Sequence, residues 1–255
     1  MDLYTEKAHP GDRRIRCSIN TNKAKTGRQS ANYPNLQNIS KDKSEKSKYP
    51  IPARGCFVND PGRLTFLVDF AGIEMRLVAD AVNEEEMILA TQGKHPTIND
   101  MHDLSGSCVY GEQWEWIEAF LKSPAGLSEP EWYKHACKTA GSEDPKVIRK
   151  NMRNGVKSYA FGTAYGGGLE KTGSGLFTLT WEQKLAAQDR FRARFPGVAY
   201  FTPNLAELIH RQKYVETAFG RKLYVARNKA HAGANYLIQG TAAGMLKRGE
   251  IRIDE

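Results

Sequence analysis

At 255 residues, with 40% hydrophobic and 26% charged side chains, the chain has the composition of a soluble globular protein rather than a disordered one. It is long enough for one large domain or two smaller ones. No run of about 18 apolar residues occurs, which argues against a transmembrane helix. The opening MDLYTEKAHPGDRRIRC lacks the apolar core of a secretory signal. Cys17, Cys56, Cys108 and Cys137 are scattered without CxxC spacing, so reduced thiols in a cytoplasm are expected rather than structural zinc.

In chain order, residues 1–54 read as an irregular basic segment closed by Pro50 and Pro52. They hold 12 Lys/Arg against 5 Asp/Glu, most of the net +8 of the whole chain. A stretch this polar, with KDKSEKSK inside it, fits a solvated arm and fits equally a phosphate-backbone contact driven by counterion release. Leu64 to Val68 is a short apolar run suited to a buried strand, and beyond Asp69 the spacing of Ile73, Leu77, Val78 and Ala81 predicts a helix. Asp69 thus falls at a strand-to-helix junction, where a carboxylate is either exposed at the end of a sheet or spent as a helix N-cap.

Residues 84–150 read as interrupted helices with turns at SPAGLSEP and GSEDP. Glu84–Glu86 read as an exposed helix start rather than a metal site. TWEQKLAAQDRFRARF begins on a Thr180 cap and keeps helical periodicity to Pro196. KYVETAFGRKLYVA reads as a hairpin about Gly220–Arg221, and AHAGANYLIQGTAAGMLKRGEI returns to helix. The order strand, many helices, hairpin, helix indicates an α+β fold.

The stretch RNGVKSYAFGTAYGGG places Arg153, Lys157, Phe161 and Tyr165 four residues apart. On a helix each step advances about 400°, so the four form one slowly turning stripe. Two cations a turn apart suit a polyphosphate, Arg through its forked donors and Lys as a point charge. Aromatic rings further along suit a base and sugar, and Gly166–Gly168 end the helix. The same spacing also fits an amphipathic helix with solvated cations and buried rings.

Those residues, with Gly166, form an RxxxKxxxFxxxYG pattern that resembles motif B of the family A DNA polymerases. VDFAGIEMR (68–76) is similar to the family's motif A, TGRQSANYPNLQNI (26–39) to its TGR…PNLQN segment, AFGRKLYV to its GRR-type hairpin, and NYLIQGTAAGMLK (235–247) to its QGTAA helix. The blocks occur in the family's order across nearly the whole chain. The resemblance implies a palm of small β-sheet plus helices and a mainly helical fingers subdomain. Residues 1–88 would be basic segment and palm, 89–212 fingers and 213–255 a return to palm. It also implies template-directed addition of dNTPs to a primer 3′-hydroxyl with two Mg²⁺ ions.

Residue by residue, the resemblance implies that Asp69 and the carbonyl of Phe70 hold metal. Arg153, Lys157 and His102 (in NDMHDLSG) hold the triphosphate, and Phe161 packs on the nucleotide. Phe161, where a Tyr could hydrogen-bond near the 3′ position, implies discrimination against 3′-deoxy terminators. Glu74 and Tyr165 close the space beside the sugar 2′ position, favouring dNTPs over rNTPs. Arg28, Asn35, Asn38, Asn235 and Gln239 contact primer–template DNA, where minor-groove acceptors allow a shape test without sequence reading.

The family's motif C, an apolar strand ending in His-Asp-Glu, has no counterpart here. IRIDE at 251–255 offers Asp254, but it follows Gln239 by only 15 residues, about 22 Å of helix with nothing left to turn back. The expectation is an incomplete palm, a largely missing thumb, and a fragment inactive alone or completed by a second polypeptide carrying motif C. A single-subunit RNA polymerase relative and a non-catalytic primer–template or dNTP-binding remnant remain as rival readings.

Overall fold

The computed structural model describes residues 8–39, 53–98 and 100–254. The KDKSEKSK segment, Pro50 and Pro52 lie outside the described residues. Contacts divide the chain into two units, Met1–Ala71 with Ala243–Glu255, and Gly72–Ala242.

In the first unit, strands β1 (Ser18–Asn20) and β2 (Ser30–Asn32) pair antiparallel with Ile19 opposite Ala31. The turn that follows is held by side-chain amides, which substitute for a regular ladder. The Asn35 carbonyl oxygen accepts the Gln37 amide at 3.1 Å, and the Gln37 side chain accepts the Ala31 amide at 3.2 Å. Lys247 Nζ donates to the Thr21 carbonyl at 3.1 Å and Gln29 Nε2 to Glu250 Oε2 at 3.0 Å, fastening the last helical turns of the unit to this hairpin.

The expected buried strand at Leu64–Val68 is not formed. Leu64, Phe66, Leu67 and Val68 are 83–90% exposed, and no regular structure covers them. A strand gains its stability from a ladder and from a covered face, and no described residue supplies either to this run. β-propensity alone leaves the segment without a ladder among the described residues. Asp69 is not a helix cap either: the next helix starts on Gly72, which takes the left-handed conformation (φ 61°) that glycine tolerates.

The second unit is helical. Its elements are α1 (Ile73–Ala81), α2 (Glu85–Gln92), α3 (Met101–Tyr110), α4 (Glu112–Lys122), α5 (Glu131–Ala140), α6 (Pro145–Ala164) and the short α7 (Leu169–Thr172). There follow α8 (Trp181–Arg194), α9 (Pro196–Gln212), the hairpin β3 (Tyr214–Glu216) and β4 (Lys222–Tyr224), and α10 (Gly233–Asp254), whose residues from Ala243 onward belong to the first unit. Asp254 therefore sits on a helix, not on a strand, and the two small sheets leave an α+β architecture dominated by helix.

Local chemistry accounts for the starts. Asp100 caps α3 by accepting the His102 and Asp103 amides, Asp144 caps α6 ahead of Pro145, and Thr180 with Gln183 forms a full capping box on α8. The long α6 buries Ile148, Met152, Val156, Tyr159, Ala160 and Ala164 in the main core. A separate small core of Ile209, Val215, Leu223, Val225 and Ala230 seats the β3–β4 hairpin. Trp116 of α4 and Trp132 of α5 pack edge to face at 5.3 Å.

Glu84–Glu86 begin α2 as expected, but they are not simply exposed. Glu84 Oε1 accepts the Gly197 amide at 2.6 Å, and Glu86 pairs with Arg194 and His95. These contacts tie the start of α2 to α8 and α9.

Where α6 meets the turn after α7, backbone touches backbone: a Cβ added at Gly155 would lie 2.1 Å from the Gly175 carbonyl oxygen. Neither partner is a flexible side chain, so the helix itself must move. Gly155→Ala is expected to destabilise the fold by about 1–3 kcal/mol, read as a lower urea midpoint. Gly168→Ala, with open space around its Cβ and an ordinary φ, should stay within about 0.5 kcal/mol of the parent.

Candidate functional site

Because one side of α6 is committed to the core, its Arg153–Lys157–Phe161 side is left facing outward. Arg153 and Phe161 are half-buried and Lys157 is exposed. The stripe therefore exists as the spacing required. At its C-terminal end Tyr165 caps the helix and donates its hydroxyl to Glu74 Oε2 at 3.0 Å. These residues are 91 apart in sequence. Glu74 lies in the first turn of α1, where a carboxylate is favoured by the helix dipole. Phe161 lies between two partners, Tyr165 at 6.4 Å in a near-parallel stack and His102 at 6.2 Å. His102, Arg153, Lys157, Phe161, Tyr165 and Glu74 are thus assembled within the second unit.

His102 is buried and its Nδ1 has no hydrogen-bond partner. Burial pushes the imidazole pKa down, and the Arg153 and Lys157 charges add to this against the opposing pull of Asp100. A neutral imidazole beside two cations is the result.

Arg153 is already occupied. Its Nη2 donates to Asp100 Oδ2 at 2.8 Å and its Nε to Asp103 Oδ1 at 3.2 Å. Asp103 Oδ2 also accepts Arg149 Nη2 at 2.7 Å, and Arg149 Nε donates to Glu118 Oε1 at 2.7 Å. Burial pushes the Asp100 carboxyl upward, but the Asp103 amide and the Arg153 guanidinium more than offset this and hold it below its ordinary value. Asp100, Asp103, Glu118 and Arg149 were not singled out in the sequence. Arg149 and Arg153 stand a turn apart, as do Asp100 and Asp103. That matched spacing was the available signal, but nothing local says the two helices meet.

Asn235 and Gln239, on α10, are half-buried in the second unit, whereas Arg28, Asn35 and Asn38 are exposed in the first. Asp69 and Phe70 also belong to the first unit and are exposed. Among the described residues no three His, Cys, Asp or Glu side chains gather to hold a metal ion. Asp69 alone does not make a two-ion centre. A cavity of about 360 Å³ opens on another face of α6, lined by Asn151, Asn154 and Ser158 among others. Its lining carries no charged side chain.

The folded-state pKa of His102 lies below the unfolded value near 6.5. Between the two the unfolded chain binds more protons, so the stabilising contribution of neutral His102 is present above about pH 6.5 and is lost as pH falls through the lower folded value. An NMR titration of the His102 ring should give a midpoint below 6.5, and His102→Gln should flatten the acid limb of the stability profile over that window.

The chain as a whole is similar to proteins of one known family. The chain matches DNA polymerase family A over residues 1–123 and 132–255, the gap falling between α4 and α5. It is 28% identical to DNA polymerase I, thermostable, of Thermus thermophilus over 99% of its own length, and 28% identical to DNA polymerase I of Chloroflexus aurantiacus over the same share. It spans about a quarter of those relatives, 27% and 24% of their respective lengths. Among solved structures it superimposes on the POL domain of Pol1 from M. smegmatis, described in complex with DNA primer-template and dNTP, with a TM-score of 0.68 and 23% identity. That match covers 99% of this chain and 39% of the other. No helix among the described residues is long and apolar enough to cross a membrane. With the family matched across nearly all of its sequence and the motif residues gathered on α6, the chain belongs to DNA polymerase family A.

Proposed function

We propose that this chain is the nucleotide- and template-handling core of a DNA-directed DNA polymerase. The observation that carries the reading is the Tyr165–Glu74 hydrogen bond at the end of the α6 stripe. A cation pair suited to a triphosphate leads along one helix to aromatic rings, and the stripe ends at a carboxylate-held phenol suited to exclude a 2′-hydroxyl. In this reading Lys157, Arg153 and His102 bind the triphosphate, Phe161 packs on the nucleotide, and Glu74 with Tyr165 selects the deoxy sugar.

Arg28, Asn35, Asn38, Asn235 and Gln239 would contact primer–template DNA. Residues 1–88 and 213–255 would serve as palm and 89–212 as fingers. Asp69 and the Phe70 carbonyl would contribute one part of a Mg²⁺ site. When bound, two such ions lower the pKa of the attacking hydroxyl and stabilise the leaving pyrophosphate. This chain's own part is to bind and orient the dNTP and to shield it from water. A cytoplasmic setting with reduced thiols belongs to the same proposal; Cys17, Cys108 and Cys137 are free.

The test is nucleotide binding by calorimetry on the 255-residue polypeptide. It should bind dNTPs more tightly than rNTPs, and Glu74→Ala should reduce that preference by about tenfold, the scale of one lost steric and polar restriction. Equal binding of both nucleotides by the parent would overturn the deoxy-selective assignment in favour of an RNA polymerase relative. With one candidate metal carboxylate in its sequence motifs, the same polypeptide should bind without extending a primed template in dNTPs and Mg²⁺. Robust extension would refute the idea that motif C is needed.

A further inference from the structure

A salt-bridge ladder beside the stripe links α3, α4 and α6. Five charged groups run in sequence from Glu118 through Arg149, Asp103 and Arg153 to Asp100, at 2.7, 2.7, 3.2 and 2.8 Å. All five lie in the second unit and all are partly shielded from solvent. Arg153 uses both Nε and Nη2 on carboxylates, the forked donors with which a guanidinium grips a phosphate. Lys157, one turn on, is exposed and makes no ion pair among the described residues. One cation of the stripe is open and its neighbour is engaged.

When Arg153 leaves, the remaining contacts keep Asp103 paired and Asp100 hydrogen-bonded. Asp103 bridges two arginines, so when Arg153 withdraws its carboxylate still holds Arg149. Asp100 keeps the His102 and Asp103 amides, at 2.8 and 3.0 Å, through its Oδ1. Arg149 is fixed from behind by Glu118 and by the Trp114 ring, over which its guanidinium lies at 4.8 Å. Removing a partner from a shielded ion pair is costly chiefly because the other charge is left alone; here Asp103 keeps a cation in Arg149, and Asp100, half-exposed, keeps two backbone amides.

Resting on the nucleotide-site reading above, we infer that Asp103, with Asp100, is a positioning residue that occupies the phosphate-gripping edge of Arg153 until a polyphosphate displaces it, with Arg149 setting how readily the exchange occurs. The carboxylates hold the guanidinium extended and oriented while the site is empty. Nucleotide binding is then an exchange of one anionic partner for another, entered through Lys157. Affinity depends on the ladder as well as on the residues that touch the nucleotide.

The probes are a dNTP and inorganic tripolyphosphate, titrated by calorimetry into the 255-residue chain. Asp103→Asn should tighten both by on the order of three- to tenfold, the range for a partly shielded ion pair. Arg149→Gln should weaken both, because Asp103 then holds Arg153 alone. In the double variant the Arg149→Gln effect should largely disappear, a coupling that separates exchange from a change in field. Glu118→Gln removes the same charge as Asp103→Asn without touching Arg153 and should not tighten binding.

Should Asp103→Asn fold poorly, the parent protein decides the matter: tripolyphosphate should shift the Arg153 Nε–H resonance and leave that of Arg149 in place. Unchanged or weaker binding in a folded Asp103→Asn, additivity in the double variant, or an unmoved Arg153 resonance would overturn the inference. Lys157→Ala separates this from failure of the nucleotide site itself. If that variant binds tripolyphosphate as the parent does, the site is wrong; if it weakens binding while the ladder variants do nothing, only the exchange is wrong.

Discussion

The second unit depends on the burial of one side of α6. Ile148, Met152, Val156, Tyr159, Ala160 and Ala164 are removed from solvent along 20 residues of helix, and the Gly155–Gly175 approach sets how closely the next segment can lie. Burial of this size outweighs any surface charge term. It fixes the rotation of the helix about its axis, and that rotation turns a four-residue spacing into a stripe with a direction. Arg153, Lys157 and Phe161 point where they do because the opposite side has no freedom to turn. Function here is the complement of packing.

Charge is handled in a graded way along that stripe. Arg153, which any phosphate would seek, is neutralised by two carboxylates of α3. His102 is held neutral by its own burial next to the cations. Lys157 alone carries its charge into solvent at this site. Arg153 and Lys157, one turn apart on α6, would otherwise repel, and the α3 carboxylates relieve this without filling the outer side of the helix. The same helix that supplies Asp100 and Asp103 supplies His102, so one capping interaction at the start of α3 orients both the counter-charges and the imidazole.

The first unit shows the opposite condition. Its hairpin is short, its turn is made by side-chain amides, and the apolar run before Asp69 finds no cover among the described residues. Leu64–Val68 has the composition of a buried strand and does not become one, because a strand is completed by neighbours while a helix satisfies its own backbone. The Thr180 capping box, the hairpin about Gly220 and the helix through Gln239 were all legible as written, since each is specified within a few residues. The partners of Glu84 and Glu86 were not: both carboxylates reach more than 100 residues along the chain, to Gly197 and Arg194.

The amino-acid order by itself determined most of the helices, the Thr180 cap and the sequence of polymerase-like blocks, because capping, periodicity and motif spacing are local properties. It also determined which side chains share the α6 stripe, since that follows from helical geometry alone. Only the tertiary structure decided that Tyr165 meets Glu74, that His102 is buried beside Phe161, and that Arg153 is bound by Asp100 and Asp103. Those contacts join residues 50 to 91 apart or distant helices. Their formation depends on how α1, α3 and α6 pack, and packing is a property of surfaces that no short stretch of sequence contains.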